Sequence, residues 1–283
     1  MKIFLTGGTG FIGSHFINKA MNSGYEVLAL KRSRDSKPRV DLIKEPRWLN
    51  KQLNLVKKED LENVDVVVHF AAHSANVPYD TLANCTQKNV IDPLILFEKA
   101  INAGVKKFVV AGSCFEYGKS GERYDFIPVT APLEPTQTYP ASKALSSIAF
   151  YQFAIEHKIQ LSYHRIFQVF GEGELETRLW PSLKRAAFSG ENFEMTKGEQ
   201  IRDFIDVNLV ADEFLKACKV ILNESSIEPK YHNLGSGNPQ TILEFSKFWW
   251  NKWKAKGQLK IGLLPYRKGE VMRFVPELND LTS

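Results

Sequence analysis

The sequence predicts an α/β protein built on a doubly wound parallel sheet, and three observations carry that prediction. Strand-like apolar stretches alternate with helical ones through the first half of the 283 residues. Two of the strands are near-continuous apolar runs, as expected of parallel strands covered on both faces. The first strand passes straight into a glycine turn that opens a helix, Thr6-Gly7-Gly8-Thr9-Gly10-Phe11-Ile12-Gly13-Ser14-His15.

In order, Met1-Lys2-Ile3-Phe4-Leu5 reads as the first strand. Phe11, Ile12, Phe16, Ile17 and Ala20 recur on one face of the helix that follows. Gly24 admits a second strand, Tyr25-Glu26-Val27-Leu28-Ala29-Leu30, while residues 31–50 are charged and irregular, with Pro38 and Pro46. Val64-Asp65-Val66-Val67-Val68-His69-Phe70 is the first buried run. A helix over about 84–103 ends at Gly104, and Lys107-Phe108-Val109-Val110-Ala111-Gly112 is the second buried run. Pro140 suits the first turn of a helix over 140–157, and 159–166 gives another strand.

From about Phe170 the rhythm breaks. Residues 178–189 read as helix, 200–207 as partly extended, and 208–222 as helix with Asn208 as its N-cap. Residues 233–238 form a glycine-rich loop, and Thr241 opens a helix whose Phe245, Phe248, Trp249 and Trp253 read as a core-facing stripe. The expected division is 1–169 as a ligand-binding α/β unit, with a returning segment near 200–237, and 170–283 as a smaller mixed α/β region closing one side of the crevice.

Bulk properties exclude several classes. The net charge of +5 is dispersed, without the block of like charges that marks a nucleic-acid tail. Cys85, Cys114 and Cys218 are odd in number and lack C-x-x-C spacing, which argues against a disulfide framework or a zinc site and for a reducing compartment. Lys2 leads directly into a strand, which does not read as a signal peptide. No apolar run reaches the roughly 18 residues of a membrane span. The expectation is a soluble cytoplasmic protein with no nucleic-acid or membrane partner and no metal.

The chemistry-bearing residues lie where the crevice should be. Strand, glycine turn and helix make a pyrophosphate site: helix N-terminal N–H groups face the anion, and missing Cβ atoms allow close approach. The spacing is G-x-x-G-x-x-G. Tyr139 and Lys143, four apart at a helix start, share one face. A phenol of pKa about 10 is a poor acid–base group near neutrality, and a neighbouring ammonium should favour its phenolate. Ser113 follows a buried strand at its C-terminal end, where its hydroxyl can meet a substrate carbonyl. Asn89 lies in the preceding helix.

Together these motifs resemble the extended short-chain dehydrogenase/reductase family, of Rossmann type, and within it the nucleotide-sugar epimerases, dehydratases and reductases. The resemblance runs from residue 1 to about 275. Besides the glycine turn it includes His69-Phe70-Ala71-Ala72, the Asn89 region, Ser113 to Tyr117-Gly118, Tyr139 to Lys143, Arg202-Asp203-Phe204-Ile205 and Asn233-Leu234-Gly235-Ser236-Gly237. It implies that Tyr139 is the acid–base residue, Lys143 its partner and a ribose contact, and Ser113 the group polarising the sugar carbonyl. It implies cofactor contacts at Gly7, Thr9, Gly10, Phe11, Ile12, Gly13, Ala71, Ala72 and Asn89. It implies a nucleotide diphospho-sugar substrate, with Arg178, Arg202 and Arg267 as diphosphate contacts, and a homodimer packed through helices near 90–103 and 140–157.

The second strand ends in Leu30-Lys31-Arg32-Ser33-Arg34, with no acid before Asp35. An acid there would accept from the ribose of NAD and repel a 2′-phosphate, whereas guanidinium binds phosphate. NADP(H) is therefore expected over NAD(H), with Lys31 and Arg32 as contacts. Dehydratases of the family place Asp and Glu after the catalytic Ser or Thr. Here Cys114 and Phe115 stand there, and Cys114 falls one position short of the cysteine of epimerase–reductases of the GDP-fucose synthase kind.

The run Thr196-Lys197-Gly198-Glu199-Gln200-Ile201-Arg202-Asp203-Phe204-Ile205 is similar to that of the sugar 4-ketoreductases making CDP-linked 3,6-dideoxyhexoses such as abequose and paratose. The reading is NADPH reduction of the C4 ketone of a nucleotide-linked 4-keto-6-deoxy sugar, feeding bacterial surface polysaccharides such as lipopolysaccharide O-antigen. An NAD-dependent 4-epimerase is the alternative; a non-catalytic NADP sensor would be expected to lose Tyr139 or Lys143. Two departures stand out. Asp206-Val207-Asn208-Leu209 replaces an aromatic or His, Val and two acids. The sequence also reaches Ser283 without the Gly-Trp element and closing helix of the family, so the substrate pocket is expected to differ.

Overall fold

A computed structural model describes residues 1–267 and 269–278. The closing element expected to be missing concerns the stretch up to Ser283, of which 279–283 lie outside the described residues. Seven parallel strands form the main sheet: β1 (Lys2–Thr6), β2 (Glu26–Lys31), β3 (Arg47–Asn50), β4 (Val66–His69), β5 (Lys107–Ser113), β6 (Gln160–Ile166) and, after an excursion, β10 (Lys230–Leu234). Their order is β10-β6-β5-β4-β1-β2-β3. The order reverses direction between β1 and β4, which is where a doubly wound sheet opens its crevice.

Alternation along the strands divides the core into two layers. Ile3 and Leu5 face one side with Val66, Val68 and Val109, under α1 (Phe11–Asn22) and α6 (Val207–Asn223). Phe4 faces the other with Val67, Phe108 and Val110, under α3 (Asp92–Asn102) and α4 (Thr138–His157). A strand period of two leaves no other arrangement for such runs. Between α2 (Leu82–Thr86) and α3 the helix widens into a π-turn, Gln87–Ile91, which the periodicity of 84–103 does not announce.

β7 (Gln168–Phe170) pairs with β9 (Ile201–Asp206), which also pairs with β11 (Pro239–Thr241) and β13 (Arg273–Phe274) in a second sheet. A third joins β8 (Phe193–Met195) to β12 (Leu259–Ile261). Here α5 (Leu179–Ser189) packs Leu183 and Ala186 against Trp250, Trp249 and Trp253, from α7 (Ile242–Lys252) and its C-cap. Thr241 is its N-cap, and Thr241 and Glu244 close a reciprocal capping box there. Phe245 is buried as expected, but Phe248 is 57% exposed and Trp250 takes the inward place, so the aromatic stripe is rotated.

Two further expectations need correction. Strand β3 lies in a stretch that reads as irregular, and β10 ends on Asn233 and Leu234, which read as the start of a loop. The N-cap of α6 is Asp206, whose Oδ1 accepts from the Asn208 backbone (2.8 Å). Asn208 turns its amide to Asp206 and to the His15 ring instead.

Candidate active site

The crevice is built first from backbone. Gly7 has φ +73°, and a Cβ there would sit 2.7 Å from the Ala71 nitrogen. The turn after β1 therefore lies against the end of β4, and only glycine fits. A Cβ on Gly13 would meet the Gly7 carbonyl, so α1 starts in contact with the same turn. Gly10 donates to Gly7 O (2.9 Å) and caps α1 with no side chain of its own. Free N–H groups at an uncapped helix start, beside a cradle that any Cβ would fill, suit a pyrophosphate. Thr9, Phe11 and Ile12 are half-buried around the turn, and Ala72 is exposed on the opposite rim.

Thr6 fixes the two strand ends. Its Oγ1 accepts from the Ala71 N–H (3.3 Å) and shares a hydrogen bond with His69 Nδ1 (2.8 Å). Burial first, and Lys143 second, hold His69 down at about 3, so its imidazole is neutral.

Lys31 and Arg32 stand at the C-terminal end of β2. The Lys31 ammonium lies 5.1 Å from the Trp48 ring centroid on β3 and donates to Arg34 O (3.2 Å). Arg32 is exposed and has no ion pair among the described residues. Asn89, at the π-turn, accepts from the His73 N–H (2.7 Å) and donates to His73 O (3.1 Å) and Ser142 Oγ (2.9 Å). Both amide hydrogens are thus committed to protein, and Asn89 ties the loop after β4 to α4 rather than pointing a donor at a ligand.

Ser113 ends β5 and caps a short helical turn, Cys114–Glu116. It is buried, and its Oγ accepts from the Phe115 N–H (3.3 Å), which leaves its own proton free to donate. Lys143 is buried on α4, with Nζ donating to Ala111 O (2.7 Å). Burial lowers its pKa, against an opposing pull from Glu116. Tyr139 sits one turn earlier, also buried. Burial, then Glu116, Tyr79 and Cys114, push its phenol above the ordinary tyrosine value, while Arg178 pulls the other way. This differs from the expectation of a phenol drawn toward phenolate. Lys143 spends its hydrogen bond on Ala111 O, and desolvation outweighs the pull of Arg178. The phenol is therefore protonated at neutral pH. The neighbouring Cys114 thiol is buried and pushed up to about 12, so it is inert packing.

The three arginines divide. Arg178, at the N-cap of α5, lies within electrostatic reach of Tyr139, Tyr79 and Cys114 and donates to Glu174 Oε1 (3.4 Å). Glu174 Oε2 is buried without a partner among the described residues, and burial pushes the carboxyl up to about 7 despite Arg178. Arg202 acts on Cys114 from β9, and its guanidinium donates to Ile201 O, Val271 O (2.6 Å) and Glu270 (3.4 Å). Arg267 is exposed, in a turn closed by Glu270 N–H to Arg267 O (3.1 Å), and has no ion pair among the described residues.

Sequence reasoning missed the supports beneath this site. Asp203, fully buried, accepts from the Ser236 and Gly237 N–H groups (2.6 and 2.8 Å), which is why Arg202-Asp203-Phe204-Ile205 and the glycine loop after β10 occur together. Glu116 and Arg165 form a buried ion pair (2.8 Å). Removing one member of such a pair costs about 3–5 kcal/mol. The only signal in sequence was Glu at the third position after a Ser, a capping pattern.

This architecture has known relatives. Residues 3–234 match the model of the "NAD dependent epimerase/dehydratase family". The chain belongs to that family. It is 28% identical to a UDP-glucose 4-epimerase of Bacillus subtilis, over 87% of this chain and 80% of that one. It is 24% identical to a CDP-abequose synthase of Salmonella muenchen, over 99% and 90%. Among solved structures, a UDP-glucose 4-epimerase of Thermotoga maritima with UDP-glucose superposes with a TM-score of 0.82 at 25% identity, covering 98% of this chain and 90% of the other. This epimerase/dehydratase chain thus has relatives on both sides of the epimerase–synthase divide. No helix among its described residues is long and apolar enough to cross a membrane.

Proposed function

We propose that the protein reduces the C4 ketone of a nucleotide-linked 4-keto-6-deoxy sugar with NADPH. The observation that carries this reading is the basic end of β2, where Arg32 is exposed and without an ion pair among the described residues, and no acid precedes Asp35. A 2′-phosphate finds a guanidinium there and no repelling carboxylate. The glycine turn would hold the cofactor's pyrophosphate, Lys31 and Arg32 its 2′-phosphate, and Ala71 and Ala72 the opposite wall. Bound NADPH supplies the hydride.

The chain's own groups handle the oxygen. Ser113 Oγ–H orients and polarises the sugar carbonyl, and Tyr139 gives its proton to the forming alkoxide. Lys143, a buried cation on the same helix, favours that transfer. A phenol held protonated by burial is the form that a reductase needs at the start of turnover. Cys114 and Phe115 cannot supply the acid and base of a dehydratase. Arg178, which lies close to Tyr139 electrostatically, and Arg202 would contact the substrate diphosphate, and Arg267 would reach it from the rim.

A second reading, a 4-epimerase using NAD, is supported by the relatives named UDP-glucose 4-epimerase. One experiment separates the two. Purified protein is given NADPH and a panel of 4-keto nucleotide sugars, CDP- and UDP-linked, and the NADPH absorbance is followed. Consumption with a 4-keto sugar is the expected result. Tightly held NAD in the purified protein, with interconversion of UDP-sugars and no need of added cofactor, would establish the epimerase instead. A homodimer is also proposed, since Leu145, Ile148, Tyr151 and Ile155 leave an exposed apolar face on α4.

A further inference from the structure

We propose that Glu116 is a positioning residue for the candidate site, locking the strand that carries Ser113 to the helix turn that carries Lys143. Its carboxylate, fully buried, meets three donors. Oε1 accepts from the Ser113 N–H (2.8 Å) and from the Tyr163 hydroxyl (2.7 Å). Oε2 accepts from Arg165 Nε (2.8 Å). The Tyr163 hydroxyl also stands 3.5 Å from Lys143 O and 3.4 Å from Ser146 Oγ, and Ser146 Oγ donates to Lys143 O (2.7 Å). One carboxylate therefore bonds the end of β5 directly. The phenol that gives it its single proton packs by its oxygen against Lys143 O and Ser146 Oγ in the Lys143 turn of α4.

The surroundings show a built device rather than an incidental pair. A Cβ on Gly112 would strike the Tyr163 ring and come within 2.9 Å of Glu116 Oε1, so the strand residue before Ser113 makes room for the bridge. Arg165, on the adjacent strand β6, is the counter-charge. It continues through Nη1 to Tyr117 Oη (3.1 Å) and Val129 O (2.9 Å). Tyr117 donates to Asn233 Oδ1 (2.6 Å), and Asn233 donates to Ile127 O and Glu277 O. The lock is thus anchored across three neighbouring strands, β5, β6 and β10. Burial lowers Arg165's pKa, but Glu116 and Tyr117 outweigh it and leave the guanidinium above its usual value. Glu116 also raises the pKa of Tyr139 and of Lys143, which places its charge within reach of both.

The proposal rests on the assignment of Ser113, Tyr139 and Lys143, and its test is chosen to be independent of substrate. Glu116→Gln would leave Arg165 buried opposite an amide and can fail to fold. Tyr163→Phe keeps the ion pair and removes only the bridge. Tyr231→Phe is the control, because the Tyr231 ring stacks on Tyr163 and its hydroxyl also bonds α4, at Ser147 O, without touching Glu116.

Amide hydrogen exchange is measured for the wild type and both variants. Tyr163→Phe is expected to speed exchange together at 113–117 and 143–147, with a melting temperature matching that of Tyr231→Phe. Exchange in both segments indistinguishable from that of Tyr231→Phe overturns the proposal. Where the wild type consumes NADPH with a 4-keto nucleotide sugar, Tyr163→Phe should lower kcat about 10- to 100-fold at unchanged KM. An unchanged kcat overturns the proposal as well. A wild type without turnover defeats the reductase reading, and the exchange comparison still decides the role of Glu116.

Discussion

The two walls of the crevice are made of different material. The wall at β1, β2 and β4 is mostly backbone: a glycine turn pressed on Ala71, strand ends tied by Thr6, and Arg32 standing without an ion pair among the described residues. The wall at α5 and β9 is mostly side chain, and its arginines already have partners, Arg178 with Glu174 and Arg202 with Glu270 and Val271 O. A backbone site needs no rearrangement to take a ligand. A side-chain site must trade internal hydrogen bonds for external ones, so small changes in its surroundings retune it. One wall is accordingly preset by its backbone, and the other can be retuned by side chains without changing the fold.

Substitutions can break or sharpen this contrast. The largest effect belongs where the walls meet. Tyr139→Phe should lower NADPH oxidation on a 4-keto nucleotide sugar by about 100- to 10,000-fold while leaving NADPH affinity unchanged. Steady-state rates beside a fluorescence titration read both; retained turnover removes Tyr139 from the mechanism. On the backbone wall, Arg32→Ala should weaken NADPH about 10- to 100-fold, the value of one or two charge-assisted bonds, and leave NADH alone. Equal weakening of the two cofactors would show that Arg32 serves solvent.

A third effect is expected on the side-chain wall. Glu174 has its folded-state pKa raised to about 7 from the ordinary 4.5. Between those values the unfolded chain binds fewer protons than the folded one, so this group makes stability fall as pH rises from about 4.5 to 7. Glu174→Gln should therefore raise the melting temperature at pH 8, by at most about 3 kcal/mol of stability, and lose that advantage near pH 5. Thermal melts at the two pH values check it; equal shifts at both would place the Glu174 carboxyl in water.

Legibility in the sequence follows the same division. The glycine turn can be read because position 7 admits no side chain, and β4 and β5 because burial on both faces leaves an unbroken apolar run. Arg47-Trp48-Leu49-Asn50 is too short and too charged to announce β3, and Asn233-Leu234, followed at once by Gly235, reads as loop although it ends an edge strand of the sheet. Asn89 could be located but not interpreted, since its partners His73 and Ser142 come from elsewhere in the chain. Glu116 was invisible for the same reason, because Tyr163 and Arg165 reach it only after the sheet has formed. Tyr139 could be found from spacing, whereas its proton affinity depended on burial, which spacing does not report.

The position of β10 has a further consequence. Synthesis runs from the N-terminus at about 5–20 residues per second. Ser113, Tyr139 and Lys143 therefore exist as chain seconds before Lys230–Leu234 is made. Until that strand docks on β6, Tyr117 lacks Asn233, and the outer edge of β6 stays open to any passing strand. A nascent chain halted after Asn223 would hold the residues of the site and a bare sheet edge. The last strand of the sheet to leave the ribosome is the one that covers the β6 edge and completes the Tyr117–Asn233 bond.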